Sequence, residues 1–138
     1  MAQRQRQPVY RPDDADIRKH KEGWTEAQPV IVPDIDGHLV GKCPKDADLD
    51  AQGLLDTGIQ FPGRNPRSPF PERIYNVYRG VPYHAHQKQP GVYHGFPERP
   101  SKIRPNIRQE LRARAEVQGD LEAYEDWRRR VDNDDPQG

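Results

Sequence analysis

Residues 73–86, with the sequence RIYNVYRGVPYHAH, decide the fold of this chain. Two short runs rich in tyrosine and valine, residue types that favour strands, are joined at Arg79-Gly80. This pattern predicts a β-hairpin. A second turn at 89–91 (QPG) is followed by the short run 92–96 (VYHGF), so the sequence predicts a three-stranded antiparallel meander.

Two helices are predicted after the meander. The first begins at Pro105, which suits a first helical turn, and until Gly119 its apolar residues recur every four positions: Ile107, Leu111 and Ala115. Asp120 can cap the second helix, whose apolar residues follow at spacings of three, three and four: Leu121, Tyr124, Trp127 and Val131. The expected fold is therefore α+β, a small antiparallel meander packed on two C-terminal helices.

The residues before the meander give weaker patterns. Apolar runs on either side of Asp36-Gly37 predict a second hairpin within residues 30–42, and residues 48–55 predict a short helix with aspartates in its first turn. Five prolines or glycines within residues 60–71 predict a loop, because proline lacks an N–H donor and fixes φ.

Length and composition predict one small domain with polar ends. The chain has 138 residues, of which 32% are hydrophobic, and it contains 15 prolines, so we expect about 90 residues to be folded. The expected organisation is a flexible, disordered tail over 1–28, a single α+β domain over 29–131, and a frayed acidic end over 132–138.

The cysteine and hydropathy patterns bear on location. A single cysteine, Cys43, excludes an internal disulfide and favours a reducing compartment. No stretch approaches the roughly 18 to 20 apolar residues that span a bilayer, and the N-terminal residues lack the apolar region of a secretory signal. The sequence therefore predicts a cytoplasmic protein, or one delivered by a non-Sec route, without a membrane partner.

A net charge of zero conceals a strong segregation of charge. Residues 1–56 carry 8 basic and 11 acidic side chains, residues 57–115 carry 11 basic and 3 acidic, and residues 116–138 carry 3 basic and 8 acidic. A basic centre between acidic flanks is typical of proteins that bind polyanions. If the acidic C-terminal part shields this centre, truncation after Gly119 is expected to strengthen nucleic-acid binding.

Three histidines are the main candidates for catalysis. His84 and His86 are two residues apart in a predicted strand and therefore share one face, and His94 can join them from the next strand. Since histidine titrates near neutral pH, one ring can take the 2′-hydroxyl proton of RNA while another protonates the leaving oxygen. Arg79 or Lys88 would then stabilise the charged phosphorane. This hypothesis is a metal-independent ribonuclease.

The same histidines permit a second hypothesis. Together with Glu98 they provide nitrogen and oxygen ligands of the kind that zinc accepts. Histidines spaced in this way, without a cysteine pair or an HExxH helix, are weakly specific for a metal. We therefore assign no metal and no cofactor from the sequence.

A third hypothesis needs no catalysis. In this hypothesis, basic side chains of residues 57–115 bind the phosphates of RNA or another polyanion, and tyrosines stack on exposed bases. The candidate residues are Lys88, Arg99, Lys102, Arg104, Arg108, Arg112, Tyr83 and Tyr93. Alternatively, the chain is a non-catalytic interaction module, such as an immunity, adaptor or accessory protein. Its basic centre or its tail would then dock a protein partner.

Residues 41–131 resemble small bacterial modules found alone or at the C-terminal end of polymorphic toxins. The likeness rests on short motifs of this sequence: GKCP at 41–44, LL at 54–55, RIYNVYRG at 73–80, PYHA at 82–85 and YHGFP at 93–97. The resemblance implies a bacterial effector system, in which small nuclease domains are frequent.

Overall fold

The computed structural model describes residues 8–10, 30–33, 36–42, 50–63 and 68–132. The fold is α+β, as the sequence predicts. The elements in chain order are β1 (Val9–Tyr10), β2 (Val30–Pro33), β3 (Leu39–Lys42), α1 (Ala51–Asp56), β4 (Ile59–Phe61), β5 (Arg73–Tyr78), β6 (Val81–Gln89), β7 (Val92–Pro97), a 3₁₀ turn (Pro100–Lys102), α2 (Pro105–Val117) and α3 (Leu121–Val131).

The hairpin of β5 and β6 is the centre of the main sheet. Its strands pair antiparallel from Arg73 opposite His86 to Tyr78 opposite Val81, with a two-residue turn at Arg79-Gly80. Both turn residues have positive φ, 51° and 82°. Two-residue turns of this kind match the right-handed twist of the strands, so the prediction of a hairpin at this dipeptide is confirmed.

The main sheet has two strands beyond the predicted three, in the order β1-β7-β6-β5-β4 among the described elements. β4 falls at the start of the predicted loop and pairs antiparallel with β5. β1 lies inside the predicted tail of residues 1–28, where Val9 and Tyr10 pair in parallel with Val92 and Tyr93. At least this part of the tail is therefore ordered on the sheet.

The smaller predicted elements also form. β2 and β3 pair antiparallel, from Val30 opposite Lys42 to Pro33 opposite Leu39, as the second hairpin. The short helix is α1, and the Asp50 side chain caps it by accepting a hydrogen bond from the Gly53 N–H at 2.9 Å. Cys43 and residues 48–49 lie outside the described residues.

The two C-terminal helices form as predicted, but the Asp120 side chain makes no capping hydrogen bond at the start of α3. In α2 the buried residues are Ile107, Leu111 and Ala115. The chain leaves α2 through Gly119, whose φ is +81°, and the Asp120 N–H donates to the Ala115 carbonyl at 2.7 Å. This is the arrangement by which a glycine ends a helix in a left-handed residue.

Helix α3 closes the core from the turn side of the hairpin. Tyr124 and Trp127 are each 1% exposed, and the Trp127 indole donates to the Glu98 carbonyl at 3.1 Å. Asp132, predicted to belong to the frayed end, is buried and accepts hydrogen bonds from the backbone and hydroxyl of Ser101. The order therefore extends past α3, and residues 133–138 lie outside the described part.

A core packs on each face of the sheet, and we name the faces by their helices. The α2 face contributes Tyr75 and Val77 to a core with α2 and α3. The α1 face contributes Ile74 and Tyr93, which pack with Leu55 and Phe70. Within the described residues, none of the helices is long and apolar enough to cross a membrane.

Tyr93 in this core is expected to make the stability of the protein depend on pH in the alkaline range. The ring is fully buried and its hydroxyl donates to the Pro71 carbonyl, and burial raises the pKa of Tyr93 to about 12. Because the folded-state pKa exceeds the ordinary value of 10.0, the stability from the neutral phenol is complete below pH 10 and is lost as the pH rises towards 12.

We therefore expect Tyr93→Phe to cost about 1 kcal/mol at pH 8, since the Pro71 carbonyl loses its donor. The difference between wild type and variant should shrink between pH 10 and 12. Urea denaturation at pH 8, 10 and 11 measures it. A difference that stays constant over this range would contradict the assignment of the alkaline transition to Tyr93.

Candidate functional site

The hairpin register places the candidate histidines on the α2 face. His84 lies opposite Tyr75 on β5 and Phe96 on β7, and His86 lies opposite Arg73 and His94. Residues directly opposite in antiparallel strands share a face, so the three histidines come together as the two-residue spacing predicts.

His86 and His94 are in direct contact through their outer ring nitrogens. The two Nε2 atoms are 2.6 Å apart, the ring centroids are 4.3 Å apart, and the rings are nearly perpendicular at 86°. Both side chains are half-buried. A hydrogen bond between two imidazole nitrogens needs a proton on one and a lone pair on the other, so the pair combines a donor and an acceptor.

His84 occupies a different environment from this pair. It is 8% exposed, and its ring stacks on Tyr75 at 5.1 Å between centroids and meets the edge of Phe96 at 5.0 Å. Its Nδ1 is 3.5 Å from the Glu98 carboxylate, whereas its buried Nε2 has no hydrogen-bond partner among the described residues. The His84 ring is enclosed and contacts the His86 ring at 5.6 Å between centroids, so the structure does not support the catalytic role predicted for His84.

Arg73 supplies the fixed positive charge beside the histidine pair. Directly opposite residues continue from His94 through His86 and Arg73 to Phe61 on β4. A hydrogen bond to Tyr75 raises the pKa of the exposed Arg73 guanidinium above its ordinary value, so it remains a cation at any working pH.

Arg104, just before α2, extends this line of residues. Its guanidinium carbon lies over the Phe61 ring, 4.5 Å from the centroid. We call these residues of the α2 face the basic row: Arg104, Phe61, Arg73, His86 and His94.

The proposed role of Arg79 does not fit its position. Arg79 is in the β5–β6 turn, and its guanidinium carbon lies 5.2 Å from the Tyr78 ring centroid. His86 is seven residues further along β6, which at about 3.3 Å per residue places it roughly 20 Å away. Arg73, at the opposite end of the hairpin, lies where the sequence analysis expected Arg79. The position of Arg73 opposite His86 follows from the strand register, which no local motif indicates.

The predicted nucleic-acid-binding cations are distributed over three places. Lys88 belongs to β6, at the irregularity between Gln87 and Gln89. Near the 3₁₀ turn, Lys102 and Arg104 are exposed. Of the remaining three, the Arg108 guanidinium donates to the Pro100 carbonyl and Arg112 to Glu125, whereas Arg99 is half-buried next to the 3₁₀ turn.

The two tyrosines predicted to stack on bases are buried. Tyr83 is 8% exposed and packs with Val81 and Trp127, and Tyr93 is fully buried against Pro71. Stacking at these two positions is therefore not supported, and both tyrosines serve the core.

The zinc hypothesis gains no support from the described part of the chain. Within it, no three histidine, cysteine, aspartate or glutamate side chains are placed to hold a metal ion. The Nε2 atoms of His86 and His94 face each other instead of a common centre, as their separation of 2.6 Å requires.

Comparison with protein-family models, curated proteins and solved structures finds no match for this chain. The resemblance to polymorphic-toxin modules therefore stays a prediction from the sequence motifs.

Proposed function

We propose that this protein binds RNA along the basic row and cleaves it without a metal ion, with His86 and His94 as the acid–base pair. The observation that carries the proposal is the 2.6 Å contact between the two Nε2 atoms on a half-buried part of the sheet, directly beside Arg73.

The pair suits this chemistry in its singly protonated state. One ring is then an imidazolium, a general acid, and the other is a neutral imidazole, a general base. Histidine is the side chain that proteins use most often as a general acid or base. A phosphodiester placed over the pair can replace the contact between the rings with one hydrogen bond from each Nε2.

The proposed reaction is an internal transfer at phosphorus. The neutral ring takes the 2′-hydroxyl proton, the bond from O2′ to phosphorus forms and the bond from phosphorus to O5′ breaks, and the imidazolium protonates O5′. The products are a 2′,3′-cyclic phosphate and a 5′-hydroxyl. One proton has entered the pair and one has left it, so a transfer between the adjacent Nε2 atoms restores the starting state.

Arg73 contributes the electrostatic part of this proposal. Arg73 lies opposite His86 on the same face, and its guanidinium, which is hydrogen-bonded to Tyr75, can stabilise the charge that develops on the phosphorane oxygens. Arg104, Lys102 and Lys88 would hold the flanking phosphates, because contacts to the backbone provide affinity without reading sequence.

The proposed biological setting is based on the resemblance to polymorphic-toxin modules. A small ribonuclease of this kind suits a bacterial, toxin-like effector acting on RNA in the cytoplasm of a cell. The alternative, a non-catalytic interaction module, becomes an outcome of the test below.

The test uses an RNA oligonucleotide with a single cleavage site, with and without a chelator. We expect cleavage under both conditions, with a cyclic phosphate product. His86→Ala and His94→Ala should each lower the rate by about 100-fold, the lower range for loss of an acid or base group. The pH profile should be bell-shaped.

His38→Ala is the matched control, because His38 is an exposed histidine next to the β2–β3 turn. It should cleave like wild type, and an oligonucleotide with deoxyribose at the cleavage site should stay intact. Absence of cleavage with and without the chelator would overturn the proposal. Salt-sensitive RNA binding without cleavage would then favour the non-catalytic RNA-binding hypothesis, whereas salt-insensitive or undetectable RNA binding would favour the interaction module.

A further inference from the structure

The basic row ends in an arginine stacked on an aromatic ring. The Arg104 guanidinium carbon is 4.5 Å from the centroid of Phe61, within the range of a cation–π contact. Phe61 is half-buried against the α2 core, whereas Arg104 is exposed. One side of the planar guanidinium is therefore held by the ring, and its other side can receive a second planar group.

We propose that Arg104 on Phe61 is a base-stacking platform, and that the substrate of the basic row is single-stranded RNA. This inference deepens the proposed function and rests on it. A nucleic-acid base would stack on the guanidinium, with its backbone directed along the row towards Arg73 and the histidine pair.

The dimensions of the row suit this arrangement. Phe61, Arg73, His86 and His94 lie on four neighbouring strands, and strands are spaced about 4.8 Å apart, so the row is roughly 14 Å long. A nucleotide advances about 3.4 Å along one strand of a duplex. The row can therefore hold a base at the Arg104 end and a phosphate at the histidine end.

A single strand is required because a platform needs an exposed base face. In a duplex the faces of the bases are stacked on one another, whereas single strands can unstack and place a base on an aromatic ring or a guanidinium plane. The cleavage chemistry has a related need, since the scissile phosphate must lie over both histidine rings. Platform and acid–base pair thus select the same class of substrate.

Arginine has a property here that lysine lacks. The guanidinium is planar and can stack on both of its faces, whereas an ammonium group is a compact point charge. Nearby arginines are held in other ways: Arg108 donates to the Pro100 carbonyl at 3.4 Å and Arg112 to Glu125 at 2.8 Å. Arg104 is thus the arginine that lies over a ring of the row.

The experiment measures binding of a fluorescent 2′-O-methyl RNA oligonucleotide, which cannot be cleaved because its 2′-oxygen is blocked. Arg104→Lys retains the charge and removes the planar group. We expect it to weaken binding of the single strand about tenfold, within the range measured for loss of one stacked base. Binding of the same sequence as a duplex should change less than twofold, and the salt dependence should be unchanged.

Arg130→Lys is the matched control. Arg130 is also exposed and its guanidinium carbon lies 5.6 Å from the Trp127 ring centroid, but Trp127 belongs to the cluster with Val81 and Tyr83, outside the basic row. This variant should bind the single strand like wild type.

Equal losses for single strand and duplex, or no loss in Arg104→Lys, would overturn the platform. Neither result bears on the cleavage assay, in which the His86 and His94 variants are tested with cleavable RNA. If wild type cleaves RNA but Arg104→Lys binds like wild type, the proposed function stands and this inference fails. If wild type binds single strands through Arg104 but never cleaves RNA, the platform stands and the proposed cleavage function fails.

Discussion

Gly80→Ala is expected to destabilise the protein by about 3 to 4 kcal/mol. Gly80 has φ +82°, so alanine would bring left-handed strain of about 1 to 2 kcal/mol. An added Cβ would also lie 2.6 Å from the Ala123 Cβ and 2.7 Å from the Tyr124 backbone nitrogen. Since a helix backbone cannot yield as a side-chain tip can, α3 has to move, at a further cost of about 1 to 3 kcal/mol.

Gly119→Ala separates the cost of left-handed backbone strain from the cost of the close approach of α3. Gly119 has φ +81°, nearly the same as Gly80, but an added Cβ would meet no atom within 4 Å. We expect it to cost about 1 kcal/mol, from strain alone. Urea denaturation of both variants gives the difference in the free energy of unfolding. Equal losses would show that the close approach of α3 to the β5–β6 turn does not contribute to stability.

Much of the fold could be predicted because its decisive signals are local. The turn dipeptide fixes the β5–β6 hairpin, and the four-residue spacing of Ile107, Leu111 and Ala115 fixes the buried side of α2. Each signal operates within a few residues of sequence.

The missed elements depend on pairing between distant residues. β1 is two residues long and pairs with β7 across about eighty residues of chain, so no local pattern marks it. β4 is three residues long and directly precedes prolines, so its short apolar pattern is dominated by the loop signal. Such strands form because a neighbouring strand edge is available, a property of the tertiary structure.

Local patterns could not determine which of the tyrosines are buried. Strand alternation assigns an inside and an outside only when one face of a sheet meets solvent. Here β5 is buried continuously from Ile74 to Val77, because α1 covers one face and α2 the other. Tyr93 could therefore not be distinguished from a tyrosine available for stacking.

The sequence predicted which histidines lie together, but not which cation lies opposite them. The spacing of His84 and His86 correctly placed both rings on one face, since period two is a property of the strand itself. The sequence could not show which arginine lies near the histidines, because Arg73 and Arg79 flank the same strand and their distances from His86 depend on the strand register. The burial of His84 likewise follows from Phe96 on the next strand.

Truncation after Gly119 is expected to unfold the protein, and therefore to abolish nucleic-acid binding instead of strengthening it. The truncated chain lacks Tyr124 and Trp127, which are 1% exposed. Loss of a single buried tryptophan side chain costs about 3 to 5 kcal/mol, a large part of the stability of a domain this small. Circular dichroism of the truncated protein is expected to show no cooperative thermal transition. A folded truncated protein with tighter binding would restore the shielding hypothesis in its original form.

Glu125→Gln tests shielding without removing the core. Glu125 accepts hydrogen bonds from Arg112 at 2.8 Å and from Arg128 at 3.2 Å, and the bond from Arg112 is the main cause of its lowered pKa. A carboxyl with a depressed folded-state pKa stabilises the protein above its ordinary pKa, and this contribution is lost as the pH falls through the lowered value. Wild type should therefore be slightly more stable than Glu125→Gln at pH 7, and the difference should vanish in acid.

The same variant shows which cations bind RNA. Glu125→Gln leaves Arg112 with one charge partner fewer, so a binding surface that includes Arg112 should gain affinity for a 2′-O-methyl RNA single strand. The basic row lies on the sheet beside Arg104, and Arg112 instead contacts α3, so we expect the affinity to change less than twofold. A larger gain would extend the RNA-binding surface from the basic row onto α2. It would also make the acidic third helix a regulator of binding as well as a part of the core.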